Sequence, residues 1–301
     1  MLKLDEFSHG RMEGFGGPSL GQEVRVSHVP WGFDGELRRD ELLWVRSVLP
    51  SLIDGIPDFL VKGPLLERVR ELSRQYDLAS GRYRDSARSC GYCGERAHCH
   101  GLEVLRRWIH YGEVEGKCVL DVGCGVGLMT RELAQRNEVW GVDISLGLLK
   151  IARLYGIEVV MCSGDSLPFP ANSFDLVLCV GVLPYFEDPE GIVKELCRVA
   201  RTKGLVIVTS TADSLLVRSV RWLKRLIGVR TDLARLYSCC EVEGYLAMAG
   251  AQVLASCTAY NRQVFPTREG QVPWHLKILG RVNAVMATVP TERAGPETPE
   301  G

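Results

Sequence analysis

Val119-Leu120-Asp121-Val122-Gly123-Cys124-Gly125-Val126-Gly127 is the stretch whose reading decides the fold. A short apolar run ends in a tight glycine turn, and the residues after the turn take up a helical pattern. This is a strand feeding a turn that opens a helix. Glycines at such a turn permit positive φ and let a ligand approach the backbone closely. A dinucleotide-binding turn shares this logic but expects G-x-G-x-x-G; here the third glycine comes one residue early. Asp121 also sets a carboxylate beside the turn, which is poor for a phosphate and good for a cationic amino group.

Working outward, further apolar runs lie at Glu138 to Val142, Ile157 to Met161, Phe174 to Val180 and Gly204 to Thr209. Helical patterns at Leu128 to Gln135, Leu146 to Tyr155 and Pro189 to Ala200 separate them. Buried strands alternating with helices predict βαβ units and a parallel sheet covered on both faces. Asp143 ends the strand after the glycine turn. Open α/β sheets bind ligands at strand ends, and a carboxylate there accepts hydrogen bonds from ribose hydroxyls. Beyond Thr211 come an amphipathic basic helix, a helix near Glu241 to Ala249, and strand-like pieces near Gln252 to Cys257 and Thr258 to Phe265. Residues 291–301 read as a disordered tail.

Taken together, these segments resemble the class I S-adenosylmethionine (SAM) dependent methyltransferases of the type 11-like group. Val119 to Gly127 is similar to that family's first motif, V-L-D-[VI]-G-C-G-x-G, and Asp143 to its ribose-binding acid. Gly164-Asp165-Ser166-Leu167-Pro168-Phe169 matches the segment that meets the adenine, and Ser173 to Val177 the fourth strand. Leu183 to Arg201 with Thr202-Lys203-Gly204 resembles the helix and turn written E-x-x-R-V-L-K-P-G-G. The usual proline and first glycine of that turn are Thr202 and Lys203 here, and Ala200 replaces a customary leucine.

The resemblance implies a Rossmann-like, doubly wound α/β fold with a mostly parallel seven-stranded sheet, its last strand antiparallel. SAM is the implied cofactor. Asp121, Gly123, Gly125 and Gly127 face its methionine part, Asp143 its ribose, and Ile144 and Leu167 sandwich the adenine. Asp165, next to Ser166, accepts from the adenine amine, and the carbonyl of Val180 or Cys179 touches the methionine amine. The reaction is an in-line displacement at a sulfonium methyl, in which the protein supplies orientation and a desolvated site. A general base is needed only if the acceptor still holds its proton, and none stands out. Tyr185 either contacts substrate or packs, and His110 reads as structural.

Upstream, Asp54-Gly55-Ile56-Pro57-Asp58-Phe59-Leu60 resembles the end of a Trm112-like zinc-ribbon module. No cysteine precedes Cys90, so a tetrahedral site cannot be assembled there. The reading is a small N-terminal module over 1–62, degenerate and held by packing. A helical lid or linker follows over 63–112, then the methyltransferase domain over 113–290. Tyr76-Asp77 resembles the segment that lies over the cofactor as a lid in relatives, with Tyr76 or Tyr83 closing the site. Cys90, Cys93, His98, Cys99 and His100 are crowded into eleven residues. Zinc, free thiols and a Cys90–Cys93 disulfide are the readings they allow; no metal is assigned.

Lys plus Arg total 36 and Asp plus Glu 37, which excludes a uniformly basic nucleic-acid coat. The 11 cysteines are mostly single and sit in apolar runs, as buried thiols do. With no apolar leader-like run in Met1 to Gly10, a cytoplasmic location is expected. Within 215–230, Leu216, Val220, Leu223 and Ile227 make an apolar stripe and Arg218, Arg221 and Arg225 a basic one, with Trp222 beside them. Trp274 to Met286 reads as a similar helix. Such helices cover a sheet, rest on an anionic membrane, cap an apolar pocket or meet RNA phosphates. The expected activity is methyl transfer from SAM to a small molecule, apolar or lipid-like. The rivals are an RNA or protein methyltransferase, which requires a continuous basic face, and a non-catalytic SAM-binding partner subunit.

Overall fold

A computed structural model describes residues 51–60, 71–78, 102, 105–106, 108–110, 113–226, 228, 235–260, 263–267 and 282–291. The ribbon-like part before 51, Tyr83, the Cys90 to His100 cluster, 268–281 and the tail lie outside the described residues. The strands are β1 (Ser51–Ile53), β2 (Ile56–Asp58), β3 (Cys118–Val122), β4 (Glu138–Asp143), β5 (Glu158–Met161), β6 (Phe174–Val180), β7 (Ala200–Thr211), β8 (Gln252–Tyr260), β9 (Gln263–Thr267) and β10 (Val282–Thr288). They form one sheet in the order β1-β2-β5-β4-β3-β6-β7-β10-β8-β9. The five strands β5-β4-β3-β6-β7 run parallel, and β10 lies antiparallel between β7 and β8. The Rossmann-like, mostly parallel core is therefore as expected.

Seven strands was too few. The Asp54-Gly55 turn makes β1 and β2 a hairpin, and β2 adds to the edge of the catalytic sheet through Asp58 and Met161. At the far edge, β9 folds back on β8. The strand expected across Thr258 to Phe265 is thus a hairpin, its first half continuing β8.

Four helices have described ends: α1 (Leu146–Arg153), α2 (Pro189–Val199), α3 (Leu215–Leu226) and α4 (Cys239–Met248). Their starts are written locally. Ser145, Asp188 and Ser238 each accept a backbone N–H of the first turn, and Ser238 with Glu241 forms a full capping box. On one sheet face Val122, Val177, Cys179 and Val208 pack with Ile192, Leu196 and Leu246. On the other, Val119, Leu178 and Ile207 pack with Leu105, Leu149 and Ala152. A parallel sheet so covered explains why β3 is buried at every position. The cysteines at 118, 162, 179, 197 and 257 are buried.

Two helix expectations are corrected. Leu128 to Gln135 forms turns and one short 3-10 segment, Leu133–Gln135. Its backbone bonds mix i−3 and i−4 carbonyls, and the Thr130 hydroxyl donates to Asp121. The described end of the second amphipathic segment, from Val282, is strand β10. Flanked by β7 and β8, it has both ladders to satisfy, and that context outweighs the helical spacing.

The Thr202-Lys203-Gly204 turn is built into β7, and Lys203 takes φ +63°. A Cβ costs about 1–2 kcal/mol in that left-handed region. Glycine would relieve it at an entropic loss of roughly 0.5–1 kcal/mol. Lys203→Gly is expected to stabilise the protein by about 1 kcal/mol, read from the midpoint of urea unfolding.

Candidate functional site

The glycine turn sits at the C-terminal ends of β3 and β4. Gly123, Gly125 and Gly127 have φ of +73°, +56° and +77°. Gly123 and Cys124 N–H both donate to the Val142 carbonyl, at 2.8 and 3.0 Å, which ties the turn to β4. A Cβ on Gly123 would stand 2.2 Å from Val182 Cγ2, and one on Gly127 2.5 Å from Ile157 Cδ1. These positions need glycine for space as well as for backbone angle. Asp143, at the end of β4, accepts Gly125 N–H on Oδ2 and Ser145 N–H on Oδ1, each at 2.9 Å. Its carboxylate is thereby aimed at the turn. Across from it, at the end of β6, Gly181 has φ +74° and open space where a Cβ would point.

The electrostatics of this rim are acidic. Asp121 is 1% exposed, and its Oδ2 accepts the Thr130 hydroxyl at 2.8 Å. Burial pushes its pKa up from 3.8 to about 7, against the Thr130 bond and with the help of Asp143. Burial also raises Asp143, against three backbone N–H bonds and with a contribution from Asp77. Burial raises the Cys162 thiol, and the charges of Asp143 and Asp165 add to it. Four carboxylates from separate segments thus act on one rim. A rim of this sign suits a cationic ligand.

The Tyr76-Asp77 segment reaches the same place. Asp77 Oδ1 accepts the Ser145 hydroxyl at 2.5 Å and Gly147 N–H at 2.8 Å. It therefore serves as a second acceptor at the start of α1, beside Ser145. Tyr76 packs edge-on against Tyr185, ring centres 6.3 Å apart, and against Val126, Leu128 and Leu148. Tyr185 lies in the short turn Leu183–Tyr185 directly after β6.

Other sequence candidates are placed as follows. Ile144 is half-buried between Asp143 and Ser145. Asp165 and Ser166 are exposed. Leu167 is 5% exposed, inside the core with Cys162 and Phe169. Val180 is 8% exposed at the end of β6. Sequence reasoning passed over Thr130 and the bonds of Asp77 to α1. A hydroxyl nine residues after Asp121, on the first turns beyond the glycines, was the available signal for Thr130.

Residues 120–208 match the model of a methyltransferase domain. A ubiquinone biosynthesis O-methyltransferase from Azoarcus sp. is 33% identical over 54% of this chain and 77% of its own length. The chain belongs to the class I SAM-dependent methyltransferases. The same-named protein of Bordetella avium is also 33% identical, over 37% of this chain, which spans only about half (51%) of that relative. Among solved structures, a complex of the Haloferax volcanii Trm112 methyltransferase activator with a methyltransferase matches 75% of this chain and 99% of its own. Its TM-score is 0.56 and its identity 18%. The [4+2]-cyclase SpnF matches 79% and 99%, with TM-score 0.54 and 18% identity. At these identities the structures show the shared fold alone. As a methyltransferase of this class the protein uses SAM, and its residues fit that group. The turn is held open by glycines, the rim is acidic, and Asp143 sets a carboxylate at the end of β4.

Proposed function

We propose that this methyltransferase transfers the methyl group of SAM to a small, apolar acceptor, on oxygen in the first instance. The ubiquinone biosynthesis O-methyltransferases of Azoarcus and Bordetella, by their names, support a small-molecule acceptor and an oxygen nucleophile. The single observation that carries the cofactor half is the Asp143 carboxylate, fixed by Gly125 and Ser145 beside a buried Asp121.

Bound SAM supplies an electrophilic methyl on a sulfonium. The chain's own residues orient it and keep it dry. Asp143 would accept from the ribose hydroxyls with the lone pairs its backbone bonds leave available. Asp121, ionised, would attract the cationic amino acid portion, and Gly123, Gly125 and Gly127 would let that portion reach the backbone. Ile144, Asp165 and Ser166 would hold the adenine, with Leu167 behind them in the core. The Val180 carbonyl, at the end of β6, would take the amino group. Tyr185 and Tyr76 close the rim and bound the acceptor's approach, which favours in-line geometry.

Calorimetric titration of SAM and S-adenosylhomocysteine tests the cofactor half. Micromolar binding is expected, weakened by about a hundredfold or more in Asp143→Ala. Equal affinity in the variant would remove Asp143 from the site. Methyl transfer from labelled SAM to catechols and prenylated phenols tests the acceptor class. Transfer to none of them, by a protein that binds SAM, would overturn the acceptor assignment alone.

A further inference from the structure

An amphipathic helix that covers a sheet turns its apolar arc inward. Helix α3 does the reverse. Leu215, Val220, Trp222, Leu223 and Leu226 are 57%, 43%, 63%, 55% and 62% exposed, while Leu216 and Val217 are half-buried. At 3.6 residues per turn, positions 215, 222 and 226 fall within about 40° of arc, and 223 borders them. The result is a ridge of large apolar side chains aimed at solvent. Contiguous exposed apolar surface of this kind marks an interaction site.

The charge pattern says which kind. Leu215–Leu226 holds Arg218, Arg221, Lys224 and Arg225 and no acid, in a chain whose net charge is −1. Positions 218, 221 and 225 share the arc next to the apolar ridge. Arg218 is held by Asp213 at the helix start, Nε to Oδ1 at 2.6 Å, which anchors the helix to the end of β7. A flat, basic-flanked ridge with a tryptophan is the composition of a helix lying in the plane of an anionic bilayer. The helix follows β7 directly, so it leaves the sheet at the same strand ends that carry Asp121, Asp143 and Gly181. No helix among the described residues is long and apolar enough to cross a membrane, so attachment here is to the surface.

We propose that α3 docks this protein on an anionic membrane surface, with the strand-end rim of the cofactor site toward the lipid. This goes beyond the methyl-transfer reading and does not need it. Arg218 and Arg221 meet lipid phosphates, and Leu215, Trp222 and Leu226 enter the headgroup boundary.

The test is flotation of the full-length protein with vesicles of phosphatidylcholine alone or mixed with phosphatidylglycerol. Binding to the mixed vesicles, reversed by high salt, is expected. The double variant Trp222→Ser/Leu226→Ser should lose roughly tenfold or more in partitioning. Both side chains are exposed, so its SAM affinity by calorimetry should stay as in the parent, which shows that the variant is folded. Failure to float with mixed vesicles would overturn the proposal. So would unchanged flotation of the double variant, or a concentration-dependent dimer in light scattering that the variant abolishes, which would assign the ridge to a second copy.

Discussion

Asp121→Asn removes SAM binding and at the same time flattens the pH dependence of folding. The carboxyl is fully buried at the end of β3, and burial lifts its pKa from 3.8 to about 7. Between those values the folded chain keeps a proton that the unfolded chain has released. Stability of the ligand-free protein therefore falls as pH rises from about 4 to 7 and is level above. The full swing is up to about 4 kcal/mol. Asparagine is neutral throughout and keeps the size of the side chain, so the variant loses the Asp121 share of that slope, keeps only the part that the raised Asp143 contributes, and is the more stable protein above neutrality. Urea unfolding at a series of pH values reads this directly. Binding moves the opposite way. Without a charge to meet the cationic part of SAM, the variant should lose a hundredfold or more in affinity. In the parent, affinity should weaken by roughly fivefold on going one unit below neutrality, as the carboxyl takes its proton. A variant that binds SAM as the parent does would show that Asp121 only caps the turn.

The second large effect is at Gly123. Alanine there places a methyl 2.2 Å from Val182 Cγ2, in a backbone conformation of φ +73°. Overpacking costs about 1–3 kcal/mol and the left-handed angle about 1–2 more. Gly123→Ala is expected to destabilise by roughly 2–5 kcal/mol, with the Val142 anchor of the turn disturbed and SAM binding lost. Gly181→Ala is the control. Its φ is +74°, but no atom lies within 4 Å of the added carbon, so only the conformational cost remains, about 1–2 kcal/mol. Denaturation midpoints of the two variants separate space from backbone strain. Equal losses would mean that the Val182 contact yields freely.

Much of this protein is legible in one dimension. The five parallel strands are short apolar runs closed by turns, and β3 and β6 have the bounds that their runs suggest. The glycine turn and Asp143 stand out because strand, turn and acid must recur at fixed spacing for any chain that binds a ribose at a strand end. Helix starts at Ser145, Asp188 and Ser238 are likewise local chemistry. The helix read across Leu128 to Gln135 is instead a run of turns, because its backbone bonds mix i−3 and i−4 carbonyls, which apolar periodicity does not reveal.

What only the tertiary structure decided depends on partners far along the chain. Spacing places Val282 on a helix; two neighbouring strands with open ladders make it β10. The β1–β2 hairpin reads as part of a separate module until β5 offers it an edge. Asp77 meets Ser145 across 68 residues. The raised pKa of Asp121 comes from burial, which no local pattern measures. Amphipathicity in α3 is plain from its residues, but a helical wheel has no inside. The packing of the body turned its apolar ridge outward, because only a few of its side chains meet the fold and the rest face solvent.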